Sequence, residues 1–339
     1  MSFGNSDGDF AFYLEAYSRD TLWRAVKEES GMNNTTRMIY SGKDKYVLRV
    51  YDNHRDVGIV QIEHQLLDKL QLAGLPFQVP MPVANLNGST ITISPDGKLA
   101  ALYAYIEGER PSSSTDRHVE ALGAAAGALS NAMSHLEMDR EIRPVYKPYY
   151  EFEQSHAAMT NEKLERLSQA SEVLSKREAE LSLLFAERAR LAALRTLMAD
   201  MPHQWIHGDI VFNNSLVHEN RISGVLDFEF STIDLRAMEL AVVLAEFPNE
   251  DYSRALEQIA LFCRGFGSSV KLTKVEIGQL SDLVKLRMLD VFLHFAARYS
   301  EGLDGEPVWD HQIQRAAYVC KWLDQYKAEI TELFDNYLS

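Results

Sequence analysis

Three side chains at fixed intervals carry the chemistry this chain is equipped for. In the run His207-Gly208-Asp209-Ile210-Val211-Phe212-Asn213-Asn214, an amide follows a carboxylate at the fifth position. Eighteen residues after Asp209, the run Val225-Leu226-Asp227-Phe228-Glu229 supplies a second carboxylate. Apolar Trp205-Ile206 leads into the first run and Ile222 to Leu226 into the second, so both runs sit where short strands end in polar loops. Such loops can meet at one mouth and bring Asp209, Asn214 and Asp227 together. One carboxylate then orients a hydroxyl, while the Asn214 amide oxygen and the Asp227 carboxylate hold a hard cation, Mg2+. Phosphoryl transfer needs that set, because its catalysis is mostly positioning and neutralisation of phosphate charge.

Each member has a plainer reading. A lone Asp after Gly usually caps backbone amides in a turn, and only the matched partners make Asp209 a candidate base. Asn214 is distinguished from Asn213 by its offset alone. Asp227 ends an apolar strand, where an unpaired carboxylate is costly to bury. A bound cation relieves that cost, and a neighbouring Arg is the competing explanation. A rival chemistry uses the same stretch, with His203, His207 and Asp209 as zinc ligands of a hydrolase. Pro202 and the strand-like Trp205-Ile206 weigh against it, so His207 is expected to tie the loop down structurally.

Further upstream, the polar turn Gly31 to Thr36 (Gly31, Asn33, Asn34 and Thr35 foremost) can cover nucleotide phosphates with amides and hydroxyls. Walker A spacing is absent, which disfavours a P-loop nucleotidase. Arg49 on the following strand can contact the α- and β-phosphates, and Glu63 on the next helix can pair with it. An edge-strand Arg and a solvated helix Glu are the plain alternative.

The elements that must position these groups follow from hydrophobic period. Phe12, Leu14 and Tyr17 share a helix-like face, and a short apolar run covers Leu22 to Val26. Arg37 to Tyr40 and Lys45 to Tyr51 flank Ser41-Gly42-Lys43-Asp44, a hairpin pattern. Ile59, Ile62, Leu66, Leu67 and Leu70 recur at helical spacing between Val57 and Leu72, and Gly74 stops that helix. Thr90 to Ile93 and Leu99 to Ile106 are further strands, giving β-β-helix-β-β. After Glu107 to Pro111 the pattern turns helical. Val119 to Leu136 is one helix, and 161–200 is expected as a helical hairpin with solvated faces and unsustained heptads. Helices are then expected over Leu235 to Ala245 (capped by Asp234), Ala255 to Phe266, Lys274 to Tyr299 and His311 to Tyr337.

Composition narrows the setting. With 339 residues, two lobes or domains are expected. Net charge is −15, from 34 basic against 49 acidic residues, which disfavours a nucleic-acid backbone as partner and favours cationic small molecules. Two cysteines, Cys263 and Cys320, indicate no disulfide framework. No secretory pattern opens the chain and no apolar run has membrane-spanning length. A cytoplasmic protein without a membrane partner is expected.

At this point the motifs resemble a family. HGDIVFNN followed by VLDFEF is similar to the catalytic and metal-binding loops of the aminoglycoside phosphotransferase and choline kinase superfamily. YVLRVY, IEHQLLDKLQLAGLPFQVPMP, DGKLAALYAYIEGERP and GVLDFEFSTIDLRAMELA resemble its homoserine kinase (type II) branch. The resemblance covers Thr35 to Ala245 well and the remainder in helical character. It implies an α+β, bilobal, protein-kinase-like fold. Residues 1–106 would form a nucleotide-binding lobe, a small antiparallel sheet with one helix. Residues 107–339 would form a larger, mainly helical lobe with an insertion at about 151–200.

It further implies Asp209 as catalytic base, Asn214 and Asp227 as magnesium ligands, and Glu63 as partner of the phosphate-binding basic residue. Tyr103 to Glu107, with Tyr105 and Ile106 at its centre, would be the hinge that receives adenine. Many relatives have Lys where Arg49 stands, and Arg is not a compact ammonium. Glu229 adds a carboxylate facing metal or substrate, and Arg287 and Arg298 are the further substrate contacts offered by the helical lobe. The implied activity is ATP- and Mg2+-dependent phosphorylation of a hydroxyl on a small amine-bearing molecule: homoserine or an amino alcohol first, an aminoglycoside or amino sugar second. A protein Ser/Thr kinase would need an activation segment that the six residues between Asp227 and Asp234 do not provide. A non-catalytic binding module fits poorly with an intact Asp209, Asn214 and Asp227.

Overall fold

A computed structural model of the chain describes residues 8–18, 22–27, 34–52, 54–138 and 143–339. Period-2 alternation in the first hundred residues folds as a five-stranded antiparallel sheet in the order β1-β2-β3-β5-β4. Its strands are β1 (Arg24–Lys27), β2 (Asn34–Ser41), β3 (Asp44–Tyr51), β4 (Thr92–Ile93) and β5 (Leu99–Ala104). Strands β2 and β3 form the expected hairpin, with Ser41 opposite Asp44 and Gly42 in the left-handed region at φ 60°.

Alternation along β3 sorts its side chains. Leu48 and Val50 pack with Phe10, Tyr13 and Leu14 of helix α1 (Gly8–Glu15) on one face. Arg49 and Tyr51 face helix α2 (Val57–Leu72) on the other, where their partner Glu63 lies. That helix buries Val60, Glu63, His64, Leu67 and Leu70, the spacing of one helical face. The Asp56 side chain caps its first turn at Gly58 N, and the chain leaves it through Ala73 and Gly74 (φ 69°). The sheet lobe therefore has one strand more than β-β-helix-β-β, since the Leu22 to Val26 run supplies β1, and a second short helix covers its far face.

The larger lobe is mainly helical: α3 (Asp116–Met133), α4 (Phe152–Ser155), α5 (Asn161–Gln169), α6 (Glu178–Ala193), α7 (Arg195–Ala199), α8 (Met238–Leu244), α9 (Tyr252–Gly267), α10 (Lys274–Ser300), α11 (Glu306–Gln325) and α12 (Lys327–Leu338). Two small antiparallel ladders interrupt it, β6 (His203–Ile206) with β9 (Thr232–Leu235) and β7 (Ser215–His218) with β8 (Arg221–Val225). Residues 161–200, expected as a helical hairpin, fold as α5, a short 3-10 turn, the sixteen-residue α6 and the short α7, anchored by buried Leu164, Leu174, Leu181, Leu184 and Leu191. The last pattern is two helices, because the chain turns at Tyr326.

Residues Leu235 to Ala245 correct an expectation. Leu235 closes β9, α8 begins at Met238, and Asp234 is a strand residue rather than a helix cap. Its carboxylate accepts hydrogen bonds from Tyr149 N and Leu235 N, each 2.6 Å. Backbone bonds tie the segment after α2 to the β7–β8 hairpin, Gln78 N to Ser223 O (2.9 Å) and Val225 N to Gln78 O (3.1 Å), and the segment after β5 joins the same hairpin through Val217 N to Glu109 O (2.8 Å).

Candidate active site

Strand β6 delivers the 207–214 loop, and three contacts shape it. Glu239, fully buried on α8, accepts from His207 N at 2.6 Å. Gly208 turns at φ 79°, where a Cβ would lie 3.0 Å from Phe230 O, and its carbonyl accepts from Tyr149 Oη at 2.8 Å. His207, fully buried, donates from Nε2 to Leu226 O (2.9 Å) and accepts Asp209 N on Nδ1 (3.2 Å). Burial pushes its pKa down, consistent with a neutral ring in that tautomer. His207 is thus the loop's structural anchor, with no lone pair left for zinc. His203 is engaged elsewhere, on Met201 O (2.6 Å) and Tyr150 Oη (3.0 Å). Among the described residues, no group of three His, Cys, Asp or Glu side chains is arranged to hold a metal ion.

Asn214 Nδ2 donates to both the carbonyl and the Oδ2 of Asp209, each at 2.9 Å. The amide oxygen is thereby turned away from that carboxylate. Leu226 N donates to Asn214 O at 2.8 Å, so Asn214 and Asp227 start from adjoining backbone. Asp227 itself adopts the left-handed region (φ 65°, ψ 68°). For a residue other than glycine that costs about 1–2 kcal/mol and persists only where surrounding contacts enforce it. The enforcing contact is Arg49, whose guanidinium lies 2.5 Å from Asp227 Oδ1 and 3.2 Å from Glu63 Oε1.

Electrostatics at this junction are set by burial working against charge pairing. Burial alone would raise the Asp227 pKa, but the adjacent Arg49 guanidinium holds it below the ordinary carboxylate value. At Glu63 burial wins, and its pKa is pushed up to about 7 against the pull of Arg49. Burial opposes the Arg49 charge too, yet the two carboxylates raise its pKa further. Behind Glu63 runs a buried polar chain. Tyr51 Oη donates to Glu63 Oε2 (2.9 Å), the Tyr51 and Tyr103 hydroxyls share a bond (2.8 Å), and Tyr103 meets His64 Nε2 (2.9 Å).

The other expected residues fall variously. Gly31 and Asn33 lie outside the described residues. Asn34 and Thr35 belong to strand β2 rather than to a turn, because they pair with Tyr51 and Val50. Asn34 Nδ2 donates to Glu229 Oε2 at 2.6 Å, which puts Glu229, 4% exposed, against the sheet lobe. Thr35 donates to Asp52 at 2.7 Å. Tyr105 N donates to Lys45 O (3.3 Å), and Ile106 is buried, 2.8 Å from where a Gly224 Cβ would sit. Arg287 reaches Asp209, with NH2 2.5 Å from Oδ1. Arg298 is not brought there: it lies eleven residues along α10, about 16 Å on, and its NH2 pairs with Asp304 at 3.2 Å. Three residues that sequence reasoning missed also shape the site, namely Tyr149, Glu239 and Asp290. Only position in the fold reveals them: Tyr149 and Glu239 bond the loop from distant elements, and Asp290 stands 4.0 Å from Arg287.

A strand-delivered Asp–Asn loop and a strained Asp thus meet an Arg–Glu pair on the small sheet. The chain belongs to the phosphotransferase enzyme family also abbreviated APH, whose model matches residues 27–266. It is a small-molecule kinase with an α+β, two-lobed, protein-kinase-like fold. Among curated relatives it is 25% identical to homoserine kinase of Brucella anthropi over 277 residues, which is 80% of this chain and 78% of that one. Among solved structures, a microcompartment-associated aminopropanol kinase superposes with a TM-score of 0.68 at 17% identity, covering 96% of this chain and 99% of its own. An amicoumacin kinase in complex with AMP-PNP and Ca2+ gives 0.70 at 15% identity, with 94% of each chain covered.

Proposed function

We propose that this kinase transfers the γ-phosphate of ATP, with Mg2+, to the hydroxyl of a small amine-bearing metabolite of the homoserine type. Residues 1–106 form its nucleotide lobe, and Tyr105 and Ile106 its adenine-facing hinge. One observation carries the reading: the Asn214 amide fastened on Asp209 beside an Asp227 held in a strained backbone by Arg49. That donor set, one carboxylate and one amide oxygen, suits a cation that takes its remaining ligands from phosphate oxygens and water.

Asn214 and Asp227 would hold Mg2+, which supplies neutralisation of the phosphate charge when bound. Arg49, kept in place by Glu63, meets the non-transferred phosphates, with Asn34 and Thr35 on the side of the sheet; Gly31 and Asn33 are assigned to the same phosphates from the sequence alone. Asp209 receives the acceptor's hydroxyl proton as the acceptor oxygen bonds to Pγ and the bridging bond from Pγ to the diphosphate breaks. His207 and Glu239 hold the loop so that this carboxylate faces the cleft. Glu246, near enough to Asp209 for the two carboxylates to repel, and Asp290 make the acceptor side acidic, which supports an amine-bearing acceptor. Glu229 and Arg287 line the same cleft.

The test is ATP consumption with Mg2+ over homoserine, 3-aminopropan-1-ol, choline, methylthioribose, amino sugars and aminoglycosides. Homoserine or a close analogue should give the highest kcat/KM. Highest turnover on an aminoglycoside would replace the metabolite reading with the second substrate class.

A further inference from the structure

Both oxygens of the Asp209 carboxylate are taken. Asn214 Nδ2 donates to Oδ2 at 2.9 Å and Arg287 NH2 to Oδ1 at 2.5 Å. The two partners differ in kind. Asn214 belongs to the same loop and fixes its shape, whereas Arg287 reaches in from α10 and closes the carboxylate off. Its other arm donates to Tyr149 Oη at 2.7 Å, and Asp290 Oδ2 stands 4.0 Å away. The pair is mostly buried, Arg287 being 19% and Asp209 22% exposed at the side chain.

A hydroxyl that passes its proton to Asp209 needs one of those oxygens, and the Arg287 side chain is the partner that can yield it. The guanidinium stays charged at any working pH. Moved off Asp209 in a site this closed, it needs another anion, because an uncompensated buried charge is strongly unfavourable. Tyr149 is a neutral phenol. Asp290 spends Oδ1 on His156 Nε2 at 2.7 Å and keeps Oδ2 4.0 Å from the guanidinium; Glu246 lies within the charge range of Arg287 but is shared with Arg315. Neither carboxylate makes a hydrogen-bonded pair with the guanidinium as Asp209 does, and a carboxylate carried by the acceptor supplies one.

We infer that Arg287 is a latch on the base, released by a carboxylate on the acceptor that takes the guanidinium as the acceptor's hydroxyl takes Asp209 Oδ1. The inference rests on the phosphotransferase reading and narrows its substrate class to hydroxy amino acids, as against simple amino alcohols and amino sugars. It also gives the closed pair a use. Without an acceptor, Arg287 covers the oxygen that would otherwise activate water, which limits wasteful ATP hydrolysis. Fork-shaped pairing with a carboxylate is what a guanidinium does best. In the transfer itself the hydroxyl proton moves to Asp209, the acceptor oxygen bonds to Pγ, and the bridging oxygen leaves with its electron pair on ADP. Arg287 only exchanges partners.

L-homoserine and 3-aminopropan-1-ol differ by that carboxylate alone and make the matched probes. With Mg-ATP, the wild-type protein should favour homoserine by about 10²-fold or more in kcat/KM, since a polar site left unpaired rejects the analogue strongly. In Arg287→Met the two acceptors should come within about tenfold of each other, and acceptor-free ATP hydrolysis should rise severalfold. Equal wild-type turnover of both probes, or an Arg287→Met variant that loses both equally with no rise in hydrolysis, overturns the latch. If neither probe is phosphorylated, the hydrolysis comparison alone decides.

A second measurement does not depend on the Arg287 variant folding. By calorimetry, L-homoserine should bind Asp209→Asn at least tenfold more tightly than wild type, because the latch no longer competes for the guanidinium. Equal or weaker binding counts against the latch. Failure of the underlying reading looks different: no Mg-nucleotide binding and no ATP-dependent phosphorylation of any hydroxyl compound.

Discussion

Replacing Arg49 with Met should make stability unusually sensitive to pH above neutrality, and the size of the effect follows from the junction. The Arg49 guanidinium lies 2.5 Å from Asp227 and 3.2 Å from Glu63. Glu63 is 3% exposed and its pKa stands at about 7, against an ordinary value of 4.5. A carboxyl whose folded pKa is raised makes the folded state bind the proton first. Its contribution to stability is present below the unfolded pKa and is lost as pH rises to the folded one, by about 1.4 kcal/mol per pH unit. In the wild type that loss ends near pH 7.

Without Arg49 the folded pKa of Glu63 moves higher, so the loss continues above pH 7. Asp227 separately forfeits a charge-assisted hydrogen bond, about 1.5–3 kcal/mol at any pH where it is ionised. Arg49→Met should therefore be about 2 kcal/mol less stable than wild type at pH 6 and about 4 kcal/mol less stable at pH 8.5. Urea unfolding of both proteins at the two pH values measures this. A gap that stays constant or narrows with rising pH would refute the assignment of the raised pKa to a buried Glu63 held down by Arg49.

Two further predictions concern the 207–214 loop. Glu239 is fully buried with its pKa pushed up to about 8, mainly by burial, and its Oε1 has no hydrogen-bond partner. Wild-type stability should accordingly decline between pH 6 and 8 by on the order of 2 kcal/mol through this group, and Glu239→Gln should flatten that decline; an unchanged slope in the variant's unfolding series contradicts the shift. Asp209→Asn should lower kcat by about 10²–10⁴-fold, read as ADP release with the preferred acceptor, and undiminished turnover removes Asp209 from its role as base.

Much of this site was legible because it lies in two contiguous runs. Strand-like Trp205-Ile206 and Ile222 to Leu226 had to end in loops, and the offsets from Asp209 picked Asn214 and Asp227. Arg49 and Glu63 were legible as a strand residue and a helix residue that a hairpin-then-helix order brings face to face. What escaped was set by packing. At β9 the hydropathy pattern is inverted, with Ile233 39% exposed and Asp234 fully buried. A charged residue before a helical run therefore looked like a cap. Its buried carboxylate is met by Leu235 N and by Tyr149 N, the latter 85 positions away. Tyr149, Glu239 and Asp290 carry no local signature, and the pairing of Arg298 with Asp304 rather than with the cleft depends on where α10 ends. The periodicity of the last helices runs on through Tyr326, so a backbone turn there left no mark in the apolar spacing.

Calorimetric titration of Mg-ATP into wild type, Asp209→Asn and Asp227→Ala most directly tests the division of labour between the two carboxylates. Asp227→Ala should weaken Mg-nucleotide affinity by tenfold or more, about 1.4 kcal/mol, while Asp209→Asn should bind within about threefold of wild type, about 0.7 kcal/mol. Unchanged affinity in Asp227→Ala, or equal losses in both variants, would contradict the claim that Asp227 serves the metal and nucleotide while Asp209 serves the hydroxyl.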